Sequence, residues 1–404
     1  MKTKKIKNLF LTLIILTLIS CNADVFYKIS KEDIPRIPMI EGSPTNFILF
    51  NNVMYVAGSH KKDKKTTIKI LASYSDGNWV IKEIEKEKVK QDNKEIELSS
   101  NIIQLAATNT DLYAIAYLDT HPYISTKLMK ITLDNEKKLN WTQIDISDDY
   151  KEIQAIYTVN ETIYLLTKKN NVKVFEYAVF SYDGINSPQI LFSGETPQGK
   201  TLTMTGAILS NDGTIFLCTD NGIYKEDGTL IEGTEGMQFT GIIKLDDGTI
   251  IAIARDNILY QINSNGITER AKFYNDKNEH DTSRWASGAI ALCNNGNNKF
   301  LLVGRQDKSY SASSGYIYGY VEMQLGDSGE IINNTFKEPG IGDFSSIWGD
   351  DANERYISSL GIHPVNHICQ APDGVLFAAT QQNGVWAFRE RDDGWSWNAE
   401  EKPE

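Results

Sequence analysis

Two apolar strands flank an Asp-Gly turn in the segment Ala207-Ile208-Leu209-Ser210-Asn211-Asp212-Gly213-Thr214-Ile215-Phe216-Leu217-Cys218-Thr219. Nearly the same arrangement recurs at Ile242–Ala254 and at Ile368–Thr380. Looser copies lie near Phe47–Val56, Ile102–Ala116, Ile153–Leu166 and Ala289–Val303. The seven copies are about fifty residues apart on average, which indicates a fold made of one repeated structural unit.

Each copy predicts a β-hairpin, because Asp-Gly and Asn-Asn pairs supply the positive φ values of tight turns and strand-length apolar runs flank them. Third and fourth strands follow in the first copy, at Lys69–Ser75 and Asn78–Ile84, and in the last copy, at Gly384–Phe388 and Trp395–Trp397. A single sheet of this kind cannot bury both of its apolar faces, so we expect the sheets to pack radially against each other. The sequence therefore predicts an all-β fold, a seven-bladed β-propeller of four-stranded antiparallel blades.

The copies that begin at Asp212 and Asp373 give the most specific likeness to a known repeat. The stretch from Asp212 to Tyr224, and Asp373–Thr380 followed by Asn383–Trp386, resemble the repeat of bacterial regulator-type β-propellers. The repeat consists of turn and packing residues, so the resemblance implies a fold and assigns no catalytic residue.

The N-terminus has a basic start, an apolar run at Leu9–Ile19 and the closing sequence Leu18-Ile19-Ser20-Cys21. The apolar run is too short to cross a bilayer of roughly 30 Å, and it ends in a small residue followed by cysteine. It resembles a bacterial lipoprotein signal, which implies cleavage before Cys21 and lipidation of its sulfur. We expect a signal peptide over residues 1–20, lipidated Cys21 and a tether over 21–44, and the propeller domain over 45–404.

Charge narrows the class of partner. Removal of the signal takes away four lysines and no acids, so the formal net charge changes from −12 to −16. Such a surface repels phosphate backbones and argues against nucleic-acid binding. We expect the chain to be held in the bacterial cell envelope by the lipid on Cys21, at the periplasmic leaflet or the cell surface.

The remaining cysteines, Cys218, Cys293 and Cys369, lie in apolar, strand-like contexts. At most one disulfide can form among three thiols, and the context favours buried thiols that act as small hydrophobes. His363 and His367 lie close to Cys369 in sequence, but no fourth ligand is identifiable. We therefore predict no metal site and no cofactor.

Long loops around the sixth repeat carry the candidate binding residues. In propellers, the loops that enter the blades and the loops between second and third strands share one face. The entering loops Ala271–Ser287 and Glu330–Pro364 and the second-to-third loop Arg305–Gly315 are all long here. Loops of this length are often functional, and exposed Trp, Tyr and Arg provide most of the binding energy in many interfaces. We predict a ligand-binding patch at Arg284, Trp285, Arg305, Tyr310, Trp348, Arg355 and Tyr356, beside Asp350 and Asp351.

The alternative is that these aromatic side chains pack down and seal the sixth blade. In functional terms, the sequence favours a non-catalytic module that binds an envelope protein or a glycan, or a structural lipoprotein within a larger envelope complex. A second alternative is a glycan-processing hydrolase. Pro35-Arg36-Ile37-Pro38 is similar to the arginine motif that opens sialidases, and Ser73–Trp79 is distantly similar to their Asp box. Sialidase propellers have six blades, however, and Pro35 replaces the usual aromatic residue of the motif.

Overall fold

The computed structural model describes most of the chain between residues 39 and 400. The described residues are 39–63, 65–91, 94–120, 123–134, 138–147, 149–150, 152–170, 175–196, 202–273, 280, 284–295, 298–307, 319–332, 360, 364–391 and 394–400. Within them, 27 strands form seven antiparallel sheets. These residues include no helix long and apolar enough to span a bilayer. The predicted all-β, seven-bladed propeller is confirmed.

The first three blades are complete meanders. Blade 1 comprises β1 (Ile48–Phe50), β2 (Val53–Lys61), β3 (Thr67–Ser75) and β4 (Asn78–Glu83). A strand that the repeats did not predict, β5 (Lys86–Gln91), pairs with the start of the long first strand of blade 2. Blade 2 comprises β6 (Lys94–Ala107), β7 (Leu112–Thr120), β8 (Tyr123–Thr132) and β9 (Asn140–Ile144). Blade 3 comprises β10 (Glu152–Val159), β11 (Thr162–Asn170), β12 (Phe175–Tyr182) and β13 (Gln189–Thr196).

The other four blades follow the same order. Blade 4 has β14 (Met204–Leu209), β15 (Ile215–Thr219) and β16 (Gly222–Lys225), with a single bridge from Tyr224 to Leu230 in the fourth position. Blade 5 has β17 (Phe239–Lys244), β18 (Ile250–Ala254), β19 (Ile258–Asn263) and β20 (Gly266–Lys272). Blade 6 has the described strands β21 (Arg284–Asn295), β22 (Asn298–Asp307) and β23 (Tyr320–Leu325). Blade 7 has β24 (Val365–Gln370), β25 (Leu376–Thr380), β26 (Val385–Arg391) and β27 (Gly394–Ala399).

The hairpin turns are of two kinds, which differ in how many of their residues have positive φ. At Asn51 and Asn52 both turn residues have positive φ, 51° and 62°, as predicted. At Asp212-Gly213, and at the matching pairs Asp247-Gly248 and Asp373-Gly374, only the glycine has positive φ, 86° for Gly213. The aspartate instead accepts a hydrogen bond through Oδ1 from the amide of Thr214 at 3.0 Å. The glycine of each of these Asp-Gly pairs therefore supplies the positive φ that the tight turn requires, as predicted, and the side chain of the aspartate stabilises the turn.

The core lies between the blades. Seven clusters of buried apolar side chains occur among the described residues, and each draws its members from two neighbouring blades. One example unites Phe47 and Met54 of blade 1 with Phe377 and Val385 of blade 7. Seven blades and seven shared cores make a closed ring, as the radial packing argument predicts.

The ring closes through blade 7 and the segment before β1. The sequence leaves two ways to close the ring open: a fourth strand of the last repeat around Trp395–Trp397, or a strand that Asp24–Ser30 adds to another blade. The last repeat does carry its own fourth strand, β27, paired with β26. Asp24–Ser30 lies outside the described residues. Ile40, assigned by sequence to the tether, is fully buried, and its carbonyl accepts a hydrogen bond from the Val385 amide at 3.1 Å. At the outer rim, Glu400 accepts hydrogen bonds from Trp79 at 2.8 Å and from Arg389 at 2.6 Å.

Polar side chains just before β1 and in the first strands of blades 2 and 7 bridge several neighbouring blades. Asn46 exchanges two hydrogen bonds of 2.8 Å with the backbone of Leu105 in blade 2. Gln104 does the same with Ile156 in blade 3, at 2.7 and 3.0 Å. From blade 7, His367 Nδ1 accepts the Phe47 amide of blade 1 at 3.3 Å. These side chains therefore lock four consecutive blades, 7, 1, 2 and 3, to one another.

Glycines take the corresponding positions farther round the ring. Gly206 and Gly241 directly follow the register shift in the first strands of blades 4 and 5, as His367 does in blade 7. A Cβ on Gly206 would lie 2.5 Å from Cγ2 of Ile242 in the next blade, so only glycine permits this approach. Blades 4, 5 and 6 are consequently joined by close backbone packing where other blades are joined by polar side chains.

Candidate functional site

The structure describes three of the seven predicted patch residues. Arg284 begins β21 and Trp285 follows it as a half-buried residue. Arg305, near the end of β22, is buried at 2% exposure, with its guanidinium 5.9 Å from the ring centroid of Phe273. The other predicted patch residues and their acidic neighbours lie outside the described residues: Tyr310, Trp348, Asp350, Asp351, Arg355 and Tyr356. Their role in binding stays a prediction, as does lipidation of Cys21, which also lies outside the described part.

The described ends of the three long loops lie close together. Ser287, at the end of the first loop, donates a hydrogen bond to the carbonyl of Val365, just after the end of the second. The Arg305 amide, at the start of the third loop, donates to the carbonyl of Gly319 at 2.9 Å. Gly319 in turn forms a β-bridge with Pro364. The loop bases therefore meet where blades 6 and 7 adjoin.

Trp285 forms a stacked pair with a residue that the sequence did not single out. The Arg255 guanidinium lies 3.6 Å from the centroid of the Trp285 ring, a close cation–π contact. Arg255 occupies the short turn between β18 and β19, where its amide donates to the carbonyl of Gln238 at 2.7 Å. Its own carbonyl accepts the Ala286 amide at 3.3 Å. Backbone hydrogen bonds on both sides thus hold the arginine beneath the indole.

A cavity of about 240 Å³ opens beside this pair. Its lining combines apolar, cationic, anionic and amide groups: Met237, Gln238, Ala254, Arg255, Asp256 and Trp285. Gln238 and Asp256 are exposed, whereas Arg255 is half-buried. The Arg255 Nη1 group donates a long hydrogen bond of 3.3 Å to Gln238 Oε1. Nε2 of His280 lies 3.0 Å from the carbonyl of Asp256 and so helps to fix the turn.

No acidic side chain in the described part of the chain pairs with the positive charge of Arg255. Among the described residues, no carboxylate oxygen lies within ion-pair distance of its guanidinium, unlike that of Arg389, which pairs with Glu400. This is notable in a chain with 53 acidic and 41 basic residues. A planar cation that is oriented by stacking and has no counter-ion among the described residues is a preorganised anion-binding group.

A larger cavity of about 550 Å³ lies between blades 2 and 3 and contains none of the predicted residues. Its wall includes Thr126, whose hydroxyl accepts the amide of Ile153. Tyr150 in the same wall packs edge-on against Phe180, with ring centroids 6.0 Å apart. These groups join the two blades, so we assign the cavity a structural origin.

The three described thiols and the described histidines do not converge. Cys218 and Cys293 are buried and Cys369 is half-buried, and burial raises the pKa of Cys218 and of Cys369 to about 12. These thiols are protonated at neutral pH, which makes them poor nucleophiles and poor metal ligands. Within the described part of the chain, no group of three or more His, Cys, Asp or Glu side chains is arranged to hold a metal ion.

Sequence reasoning missed Arg255 because it concentrated on the long loops. The turn Arg255-Asp256-Asn257 directly follows the second strand of the fifth repeat. The rule that placed Trp285 on the loop face also places a second-to-third turn of the preceding blade next to it. An arginine and an aspartate in that short turn were the available signal.

Comparisons with known proteins give the fold. No protein-family model and no curated protein matches the chain. Among solved structures, the chain is similar to the GH74 xyloglucanase from Xanthomonas campestris, with 8% identity over 91% of this chain and 55% of that one, at a TM-score of 0.53. It is also similar to YCF48 from Cyanidioschyzon merolae (10% identity, 87% and 96% covered, TM-score 0.46). A third similar structure is the extracellular domain of BT4673 from B. thetaiotaomicron, with 13% identity over 88% of this chain and 40% of that one, at a TM-score of 0.47. The chain thus spans about half of the xyloglucanase and less than half of the BT4673 domain. Of these three likenesses, the one to the xyloglucanase has a TM-score above 0.5, and at 8% identity it supports the propeller fold alone.

Proposed function

We propose that this protein is a lipid-anchored propeller of the bacterial cell envelope that acts as a non-catalytic binding or assembly module. The observation that carries the proposal is the Arg255–Trp285 pair at the mouth of a small cavity. Its two residue types are those enriched at the energetic centres of protein interfaces. The rigid ring of blades holds them in place, so little entropy is lost when a partner binds.

The composition of the cavity supports binding over glycan hydrolysis. Glycosidases generally need two carboxyl groups on either side of the scissile bond. Among the described residues that line the cavity beside Trp285, only Asp256 carries a carboxylate. Of the two sialidase-like motifs, Arg36 lies outside the described residues, and Ser73–Trp79 spans the outer β3–β4 hairpin of blade 1.

The location part of the proposal rests on the N-terminal sequence. Cys21 at the end of a short apolar run supplies the attachment point for lipid, and a strongly acidic mature chain would not adhere to anionic headgroups by charge. A lipid tether would hold the propeller at the membrane, where envelope proteins and glycans are present.

The test is a crosslinking pull-down from intact envelopes with wild type, Trp285→Ala and a control, Trp141→Ala, which removes another half-buried tryptophan in blade 2. We expect the captured partner to be lost only with Trp285→Ala, while the thermal midpoint stays close to that of the wild type. Retained capture together with a large loss of stability would show that Trp285 seals the blade instead. Capture of a glycan that is then cleaved would favour the hydrolase alternative.

A further inference from the structure

The stacking geometry restricts what Trp285 can bind. Carbohydrates are held on tryptophan by contact with the flat face of the indole. Here the Arg255 guanidinium covers one face at 3.6 Å from the ring centroid. A sugar ring could use that face only by displacing the arginine and losing the cation–π contact. The pair is therefore better suited to present the edge of the guanidinium than the face of the indole.

The guanidinium edge has donors to offer. An arginine carries five N–H groups, and among the described residues the Arg255 side chain uses one of them, in the 3.3 Å hydrogen bond to Gln238. Stacking fixes the guanidinium plane, so less side-chain entropy is lost when a planar partner binds two N–H groups side by side. A carboxylate has this planar, bidentate geometry.

The rest of the cavity distinguishes a carboxylate on a peptide from other anions. Asp256 places an exposed carboxylate in the lining, which would repel a doubly charged phosphate but accept a hydrogen bond from a peptide N–H. Gln238 can donate and accept, and Met237 offers an adaptable apolar contact. A volume of about 240 Å³ holds one side chain or chain end, not an extended segment.

We infer that the cavity beside Trp285 binds a peptide carboxylate, with Arg255 as the group that recognises it. This inference rests on the proposed binding function and names the chemistry of its ligand. The carboxylate is either an acidic side chain or the free C-terminus of the partner, and the two sources are distinguished by the probes below.

The probes are four acetylated tripeptides: Gly-Glu-Gly amide, Gly-Gln-Gly amide, Gly-Gly-Gly with a free carboxylate and Gly-Gly-Gly amide. The full-length protein is labelled with 5-fluorotryptophan, and its seven tryptophans give separate ¹⁹F NMR signals. Trp285→Phe identifies the signal of interest. We expect a peptide with a carboxylate to shift the Trp285 signal in a saturable way and its matched amide to leave it unchanged. A response to the glutamate peptide indicates a side chain, and a response to free Gly-Gly-Gly indicates a chain terminus.

Three variants test the role of the guanidinium. Arg255→Gln should weaken carboxylate binding by about tenfold or more, since charge-assisted hydrogen bonds are lost. Arg255→Lys should also weaken it, because lysine keeps the charge but not the planar fork. Arg270→Gln removes an exposed arginine of blade 5 outside the cavity and should have no effect. Unchanged signals from the other six tryptophans verify that each variant is folded.

Equal responses to the carboxylate and amide peptides, no response to any of the four, or undiminished binding by Arg255→Gln, would overturn the inference. The proposed function fails separately. Loss of the envelope partner with Trp285→Ala but not with Arg255→Gln would preserve the binding module and reject carboxylate recognition. A carboxylate-dependent shift combined with unaltered partner capture would preserve the carboxylate site and reject its role in assembly.

Discussion

His367 should make the ring weaker in mild acid. Its Nδ1 atom accepts the Phe47 amide at 3.3 Å, and this bond joins the last blade to the first. Only an unprotonated Nδ1 can accept, so protonation there removes the contact. Burial lowers the pKa of His367 from 6.5 to about 4 in the folded chain. The unfolded chain therefore binds the proton more tightly, and stability is complete above pH 6.5 and falls as the pH drops toward 4.

The loss of unfolding free energy can be calculated from the lowered pKa of His367. One pKa unit corresponds to about 1.4 kcal/mol, so a drop to pH 5 removes about 2 kcal/mol of unfolding free energy. His367 retains some solvent exposure, which makes this an upper value. For a chain of this length the thermal midpoint should fall by about 3 °C. Between pH 8 and pH 5, carboxylates with a lowered pKa stay ionised, such as Asp212, whose pKa is about 2.

His367→Asn is the informative variant, because Asn46 makes the equivalent contact with its Oδ1 atom in the next interface. This variant should unfold at nearly the wild-type thermal midpoint at pH 8. Its midpoint should not show the fall between pH 8 and pH 5 that protonation of His367 causes in the wild type. His60→Asn is the matched control, since His60 is also half-buried but contacts the carbonyl of Met39. The reasoning is refuted if His367→Asn and wild type decline in parallel, measured by calorimetry at several pH values.

Three other predictions concern the ring and the anchor. Gln104→Leu should lower the unfolding free energy by about 2–4 kcal/mol, because it leaves a buried amide and carbonyl of blade 3 unpaired; urea unfolding against Gln143→Leu, an exposed glutamine, checks this. Gly241→Ala should push blades 5 and 6 apart and shift the ¹⁹F signal of Trp285, and an unmoved signal would contradict the packing argument. Cys21→Ala should release the protein from membranes in cell fractionation, and unaltered membrane association would mean that the interpretation of residues 1–21 as a lipoprotein signal is wrong.

The ring could be predicted from the sequence because each blade contains a hairpin whose turn and strands are recognisable from a short stretch of residues. A turn with Asn51 or Gly213 between two strand-length apolar runs needs no distant partner to be recognised. Even so, the spacing could not reveal β5, because its register with β6 depends on a hairpin that is not part of the repeat. The closure of the ring was also out of reach, since Met39 and Glu400 are far apart in sequence and form their backbone hydrogen bond only when the last blade packs on the first.

The candidate site also depends on contacts between residues that are far apart in sequence, which local patterns do not reveal. Trp285 was found because tryptophan in a long loop is conspicuous, whereas Arg255 lies in a three-residue turn of another blade. Their stacking depends on the relative position of two sheets, and no pattern within either repeat encodes it. Arg305 illustrates the converse: its residue type and loop position favour exposure, but the structure buries it. Residue type alone cannot separate a binding arginine from a packed one.

The site depends on the way in which blades 5 and 6 are joined. A Cβ on Gly241 would lie 3.1 Å from Cγ2 of Ile290 and 3.2 Å from the carbonyl oxygen of Gly288, so these first strands approach as closely as backbone allows. That approach brings the Ala286 amide to the carbonyl of Arg255, and the residue before Ala286 is then seated over the guanidinium. A polar side chain at position 241, as in blades 1, 2 and 7, would keep the two strands farther apart. The glycine joint therefore determines the fold of the ring and the geometry of the cavity together, because the same backbone contact sets both.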